Sequence, residues 1–99
     1  MKYDGFILKQ PGGFFAPDKY PEANLDYSID WSQWLGADTI AASAWEIPGD
    51  LTASQESNTA TLATVWLTGG IPGRVYTIIN RITTAAGRVQ DQSFQIRII

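Results

Sequence analysis

Apolar and polar residues alternate along most of the chain beyond residue 24. Leu25, Tyr27, Ile29 and Trp31 alternate with aspartate and serine side chains, which is the pattern of a strand with one buried face. The same period of two, interrupted by turn residues, predicts five further strands. These strands lie at residues 39–47, 51–57, 60–68, 74–84 and 88–98. No window repeats its apolar residues every 3.6 positions, so very little helix is expected.

The number and spacing of these strands predict an all-β fold, an immunoglobulin-like antiparallel β-sandwich of six to seven strands. Residues 3–8 are the candidate for the seventh strand. Two aromatic residues favour the immunoglobulin-like topology. Trp45 lies on the second predicted strand, where such sandwiches often bury a tryptophan. Tyr76 follows a glycine-rich turn, at the place of a tyrosine corner, whose hydroxyl would bond to the backbone.

The segment before the first of these strands has a different composition. It is rich in proline and glycine, so it is predicted to be irregular, yet it also contains Phe14, Phe15 and Tyr20. We therefore divide the chain into residues 1–24, an N-terminal arm or edge segment, and residues 25–99, the sandwich. The aromatic side chains either fold back to plug the end of the sandwich or dock on a neighbouring molecule. The expectation is an arm, with residues 25–99 folding without it.

The alternation separates a predicted core from a surplus of apolar residues. The residues predicted to support the core are Trp31, Trp45, Tyr76 and Phe94. Trp34 is out of phase with Trp31, and Trp66 alternates with the apolar residues on either side of it. Ile40 and Ile79 have the opposite phase to Trp45 and Tyr76. The interface candidates are Phe14, Phe15, Tyr20, Trp34, Ile40, Trp66 and Ile79.

Such a surplus of apolar surface is typical of protein interfaces. Exposed aromatic rings on a rigid sheet also suit stacking on sugars. A glycan-binding module that uses Trp34 or Trp66 is therefore an alternative to a protein-binding domain.

The residue types required for most catalysis are missing. The chain of 99 residues contains no histidine and no cysteine, which excludes a Ser/His/Asp triad, a thiol nucleophile and a structural zinc site. Asp26 and Asp30 share one strand face but lie about 13 Å apart along the strand, too far to grip one ion. We expect neither an enzyme nor a bound metal or cofactor.

Charge and hydropathy exclude further classes of partner. The net charge is −3, which disfavours binding to nucleic acid. No segment is long enough to cross a membrane and no apolar signal region follows the N-terminus, so synthesis in the cytoplasm is expected. Residues 1–50 carry eight acids and three lysines, whereas residues 51–99 carry two acids and four arginines. This asymmetry is either scatter over a solvated surface or a device for head-to-tail contacts between subunits.

Four blocks of sequence, in order, resemble a known family. They are residues 25–32, 38–45, 65–70 and 76–88, and the similarity extends from about residue 25 to residue 98. The family is that of the small virion proteins of tailed bacteriophages known as fibre–tail adaptors.

This resemblance implies a structural protein of the virion, with an immunoglobulin-like fold, that joins a fibre or appendage to the tail or neck. Its implied partners are other virion proteins, and copies of the same chain in a homo-oligomer within the particle. The alternative is a capsid decoration or cement protein. Residues 1–24 lie largely outside the resemblance.

Overall fold

A computed structural model describes residues 6–9 and 14–99. These residues form eight strands and one short helical turn. The strands are β1 (Phe6–Lys9), β2 (Phe14–Phe15), β3 (Leu25–Asp30), β4 (Ile40–Glu46), β5 (Leu51–Asn58), β6 (Leu62–Gly69), β7 (Val75–Thr84) and β8 (Val89–Arg97), and the helical turn is α1 (Ser32–Leu35).

The strands form two sheets of four, which pack face to face. The order is β1-β3-β6-β5 in the first sheet and β2-β8-β7-β4 in the second. Strands β3 to β8 therefore take the places of strands B to G in an immunoglobulin domain, with B, E and D in one sheet and C, F and G in the other. The predicted immunoglobulin-like β-sandwich is confirmed.

The two N-terminal strands differ from the prediction in number and direction. β1 pairs with β3 and β2 pairs with β8, both in parallel, and Lys19 forms a further parallel bridge with Ile98. The segment expected to be irregular thus contains a two-residue strand. Its described residues lie along the edges of their own sandwich, where they pair with backbone groups that an open edge would leave free. This arrangement is the folded-back alternative and not the extended arm that was expected.

The inner faces of the two sheets form one apolar core. Its fully enclosed side chains include Tyr27, Ile29, Val65, Leu67, Ile78, Ile82, Phe94 and Ile96. The rings of Tyr27 and Phe94 stack across the core, with their centroids 5.5 Å apart. Along β6 and along β7, every second side chain is buried. The alternation of side chains between the two faces of each strand therefore produces this core.

Trp31 and Asn80 form a polar contact inside the core. The Trp31 Nε1 donates to Asn80 Oδ1 at 3.0 Å, and both residues are completely buried. The Asn80 amide in turn donates to Ser43 Oγ at 2.9 Å and to the Ala44 carbonyl at 3.0 Å. These bonds satisfy the buried donors, and they join the end of β3 to β7 and β4.

Tyr76 connects two turns at one end of the sandwich through hydrogen bonds of its hydroxyl. Its hydroxyl accepts a hydrogen bond from the Ile71 N–H and donates to Asp50 Oδ2, both at 3.0 Å. Beside it, Gly70 has a φ of +102°, and a Cβ there would lie 2.7 Å from Ile98 Cγ1. Only glycine fits this turn without displacing the core.

Three aromatic or apolar residues lie where the alternation alone did not predict them. Ile40 was expected on the outer face but is buried, because a bulge between Ile40 and Ala42 shifts the phase of β4. Trp34 lies on α1, so its ring contacts Trp31 edge-on at 5.5 Å. Trp45 is only half-buried, since it lies on an edge strand, and it packs edge-on against Phe94.

Asp38 joins the loop after α1 to the hairpin between β7 and β8. Its carboxylate accepts hydrogen bonds from the Thr39 N–H at 2.8 Å and the Ala86 N–H at 3.2 Å, and it pairs with Arg88 at 3.2 Å. A hydrogen bond from Thr84, assisted by these groups, holds the pKa of Asp38 below its ordinary value.

This lowered pKa predicts a loss of stability in acid. Because the carboxylate titrates at a lower pH in the folded than in the unfolded chain, its contribution is present above the unfolded pKa of about 3.9 and is lost as the pH falls through the folded pKa. Asp38→Asn is expected to lower the melting temperature at pH 7. It is also expected to make the melting temperature fall less steeply between pH 5 and pH 3. Glu56→Gln removes one charge from an exposed site and serves as the control. Identical pH profiles for Asp38→Asn and the wild type would contradict the assignment.

Candidate interaction surfaces

Among the described residues, most of the exposed large apolar side chains lie along the β2–β8 edge and the adjacent end of the sandwich. Phe15 is opposite Gln95 on β8, and Val75 is opposite Arg97. The Ile99 N–H donates to the Lys19 carbonyl at 2.9 Å, which brings the chain end beside Tyr20. We call this set the β2–β8 patch; its members are Phe15, Tyr20, Ile71, Val75 and Ile99.

The aromatic residues of the patch are the most exposed large apolar residues in the described part of the chain. Phe15 is 62% exposed and Tyr20 is 66% exposed. Both are held on a rigid frame, because Ala16 N–H donates to the Gln95 carbonyl at 2.7 Å and Lys19 N–H donates to the Arg97 carbonyl at 3.0 Å. The patch therefore presents its apolar rings on a fixed backbone, so binding does not cost the entropy of ordering a flexible segment.

Lys19 anchors this part of the chain from inside. Its side chain is buried, and its Nζ donates to the carbonyls of Tyr20 at 2.8 Å, Pro21 at 3.2 Å and Gly69 at 2.8 Å. Burial lowers the pKa of the Lys19 ammonium. The ammonium thus joins residues 19–21 to the end of β6 and fixes the position of Tyr20. Nothing in the sequence distinguishes this lysine from a surface lysine.

Ion pairs neutralise the charge asymmetry between the two halves of the chain. Arg97 pairs with Asp18 at 3.3 Å beside the patch, and Arg74 pairs with Asp50 at 3.7 Å. Together with Arg88–Asp38, these pairs join arginines of the second half to aspartates of the first. The asymmetry is thus largely satisfied within one molecule and does not require a head-to-tail contact. The Arg97–Asp18 and Arg74–Asp50 pairs are exposed to solvent, and such pairs contribute little to stability.

The residues predicted as interface candidates do not form one surface. Phe15 and Tyr20 lie in the β2–β8 patch. Trp66 faces outward from the first sheet, opposite Asp26 and Ser54, and is half-buried.

The remaining candidates are spread over other parts of the fold. Ile79 faces outward from the second sheet, opposite Ser93 and Glu46. Trp34 lies on α1, and Ile40 is in the core. Phe14 is placed opposite Phe94 on β8, but its side chain is outside the described part of the structure.

A family model described as podophage GP4 fiber-tail adaptor protein gp77 matches residues 19–97. The chain belongs to this family. The match begins at the buried Lys19 and includes all of β3 to β8, whereas β1 and β2 precede it. The resemblance inferred from the sequence is confirmed, and the protein is a phage structural protein of the fiber-tail adaptor type.

A solved structure with a TM-score above 0.5 supports the fold of this family member. The crystal structure of the cysteine protease inhibitor EhICP2 from Entamoeba histolytica is similar, with a TM-score of 0.61 and 13% sequence identity over 96% of this chain and 95% of that chain. The PKD domain from KIAA 1837 protein matches with a TM-score of 0.46 and 17% identity, over 95% of this chain and 78% of that one. At these identities the likeness concerns the fold alone. No curated protein matches the sequence.

Within residues 6–9 and 14–99, the adaptor has no cluster of three or more acidic, histidine or cysteine side chains that could hold a metal ion. The described part of the chain also has no helix of the length and apolar character needed to span a membrane.

Proposed function

We propose that this protein links a fibre or another appendage to the tail or neck of the virion through protein–protein contacts, and that the β2–β8 patch is one contact surface. The observation that carries the proposal is the exposure of Phe15 and Tyr20 on a framework fixed by β8 and Lys19. Burying an aromatic side chain of this kind contributes about 1.5–3 kcal/mol. Two such residues can supply the centre of an interface.

In this proposal, several copies of the chain act together in the particle. The segment of residues 1–24 then serves as an edge of the domain that carries part of the contact surface. The family membership supports a virion partner, and the exposed aromatic residues of the segment support its role in binding.

Substitution of the two aromatic residues tests the proposal. A phage that lacks this gene is complemented with the Phe15→Ser/Tyr20→Ser variant, and the protein in purified particles is quantified by mass spectrometry. Incorporation is expected to fall at least tenfold, since a loss of about 1.4 kcal/mol already weakens binding tenfold. The melting temperature of the isolated variant should stay close to that of the wild type.

The control replaces two equally exposed apolar residues outside the patch. Ile7 and Val89 are 56% and 59% exposed, and Ile7→Ser/Val89→Ser is expected to incorporate almost normally. Equal incorporation of the two double variants would contradict the role of the patch.

A further inference from the structure

The four outer strands of the sandwich differ in how well they protect the sheet edges. β1 and β2 are short strands that cover the edges of β3 and β8. β5 is interrupted by a bulge between Ser54 and Ser57, where Gln55 adopts a φ of +51°. β4 pairs with β7 on one side, and no described strand pairs with its other side. Within the described residues, a row of backbone N–H and C=O groups is therefore open along β4 after Ile40, whose own N–H donates to the Ala60 carbonyl.

The side chains of β4 leave this edge accessible. Ala41, Ala42 and Ala44 are exposed, and the strand contains no proline or lysine, the residues that usually protect an edge. The bulge near Ile40 affects only the beginning of the strand. In variable-type immunoglobulin domains additional strands continue the sheet from this position. Here the chain passes from β4 to β5 in the other sheet, and the edge stays open.

Glu46 defines the charge of a partner. It is exposed at the end of β4, and none of the ion pairs among the described residues includes its carboxylate. Its charge acts on Arg81, which is itself paired with Asp91. A basic side chain on a partner would therefore find an exposed acid beside the edge.

We propose that the β4 edge binds an extended segment of another virion protein, which adds a strand to the second sheet. The backbone groups of β4 provide the main-chain hydrogen bonds of this mode. The segment carries a basic side chain for Glu46. A second copy of β4 does not meet this requirement, because Glu46 is the only charged residue of the strand. The inference rests on the proposed function and identifies a contact surface separate from the β2–β8 patch.

Hydrogen exchange measured on the isolated domain and on purified particles tests this binding. The amides of residues 42–46 that face the open edge are expected to exchange at least tenfold more slowly in particles. Amides of β5 at residues 52–54 should be unaffected. Unchanged exchange of β4 in particles that contain the protein would overturn the proposal. So would protection that arises in the isolated domain as its concentration is raised, since that result would identify a second copy as the occupant.

Paired variants give a second test in the complementation assay. Ala42→Lys/Ala44→Lys places two charges beside the β4 edge, and Thr52→Lys/Ser54→Lys places the same charges on the exposed side of β5. The β4 variant is expected to incorporate at least tenfold less than the β5 variant. If the Ala42→Lys/Ala44→Lys variant fails to fold, Glu46→Lys provides the test in its place. It is expected to incorporate into particles less than its control on β5, Glu56→Lys.

The outcomes distinguish the two proposals. Absence of the wild-type protein from particles would overturn the proposed function and the strand addition together. Normal incorporation of both β4 variants, with the wild type present, would overturn strand addition alone.

Discussion

Replacement of Trp31 by alanine is expected to lower the free energy of unfolding by about 3–5 kcal/mol, the range for truncation of a large buried aromatic residue. Trp31 is completely buried at the end of β3, and its loss leaves a cavity between the sheets. It also removes the donor to Asn80 Oδ1, so a buried acceptor would lose its partner. The expected loss is a large part of the stability of a domain this small.

Trp34 provides the matched control, because it is the same residue type three positions away. It is 36% exposed and contacts Trp31 edge-on, so Trp34→Ala should cost much less, on the order of 1 kcal/mol. Unfolding of both variants in urea, followed by circular dichroism, measures the difference. Equal losses for the two substitutions would show that Trp31 is not the central support of the core.

Deletion of residues 1–20 is expected to unfold the domain or to reduce its stability by roughly 5 kcal/mol, which is the lower end of typical domain stability. The deletion removes the buried Ala16 and Lys19 and exposes the edge of β8. The carbonyl groups of Pro21 and Gly69 lose the Lys19 ammonium, and bonds to a charged donor contribute about 1.5–3 kcal/mol each. Thermal and urea unfolding of the truncated protein measure the effect.

A shorter deletion separates this effect from truncation in general. Removal of residues 1–5 keeps the buried Ala16 and Lys19 and both strands β1 and β2, so it is expected to have a smaller effect than removal of residues 1–20. If the chain without residues 1–20 melts like the full-length protein, the segment is a separable arm, as its composition first suggested, and its packing on the sandwich is unimportant for stability.

The strands that form the core were predictable from the period of two. Tyr76, Ile78, Asn80 and Ile82 share one phase in β7, and all four are buried. The same phase could have identified Asn80 as a buried polar residue, because an amide in an apolar series requires partners inside the core. The immunoglobulin-like topology followed from the number of strands and the positions of Trp45 and Tyr76.

The placements that were predicted incorrectly have local causes, which a period of two in the sequence does not reveal. A single extra residue at the bulge reversed the phase of Ile40, and one helical turn brought Trp34 against Trp31. The pairing of β1 and β2 depends on backbone hydrogen bonds at sheet edges, which do not select particular side chains. For the same reason the candidate contact surfaces were only partly predictable. The sequence indicated Phe15 and Tyr20, but the open edge of β4 is a property of the sheet order.

The position of the protein in the virion is the central claim, and a reconstruction of the purified particle by electron cryomicroscopy tests it most directly. The map is expected to show several copies of the sandwich where the fibre joins the tail or neck, with the β2–β8 patch and the β4 edge against other virion proteins. Density for the sandwich on the capsid shell, with none at the fibre attachment site, would contradict the claim and identify a decoration protein.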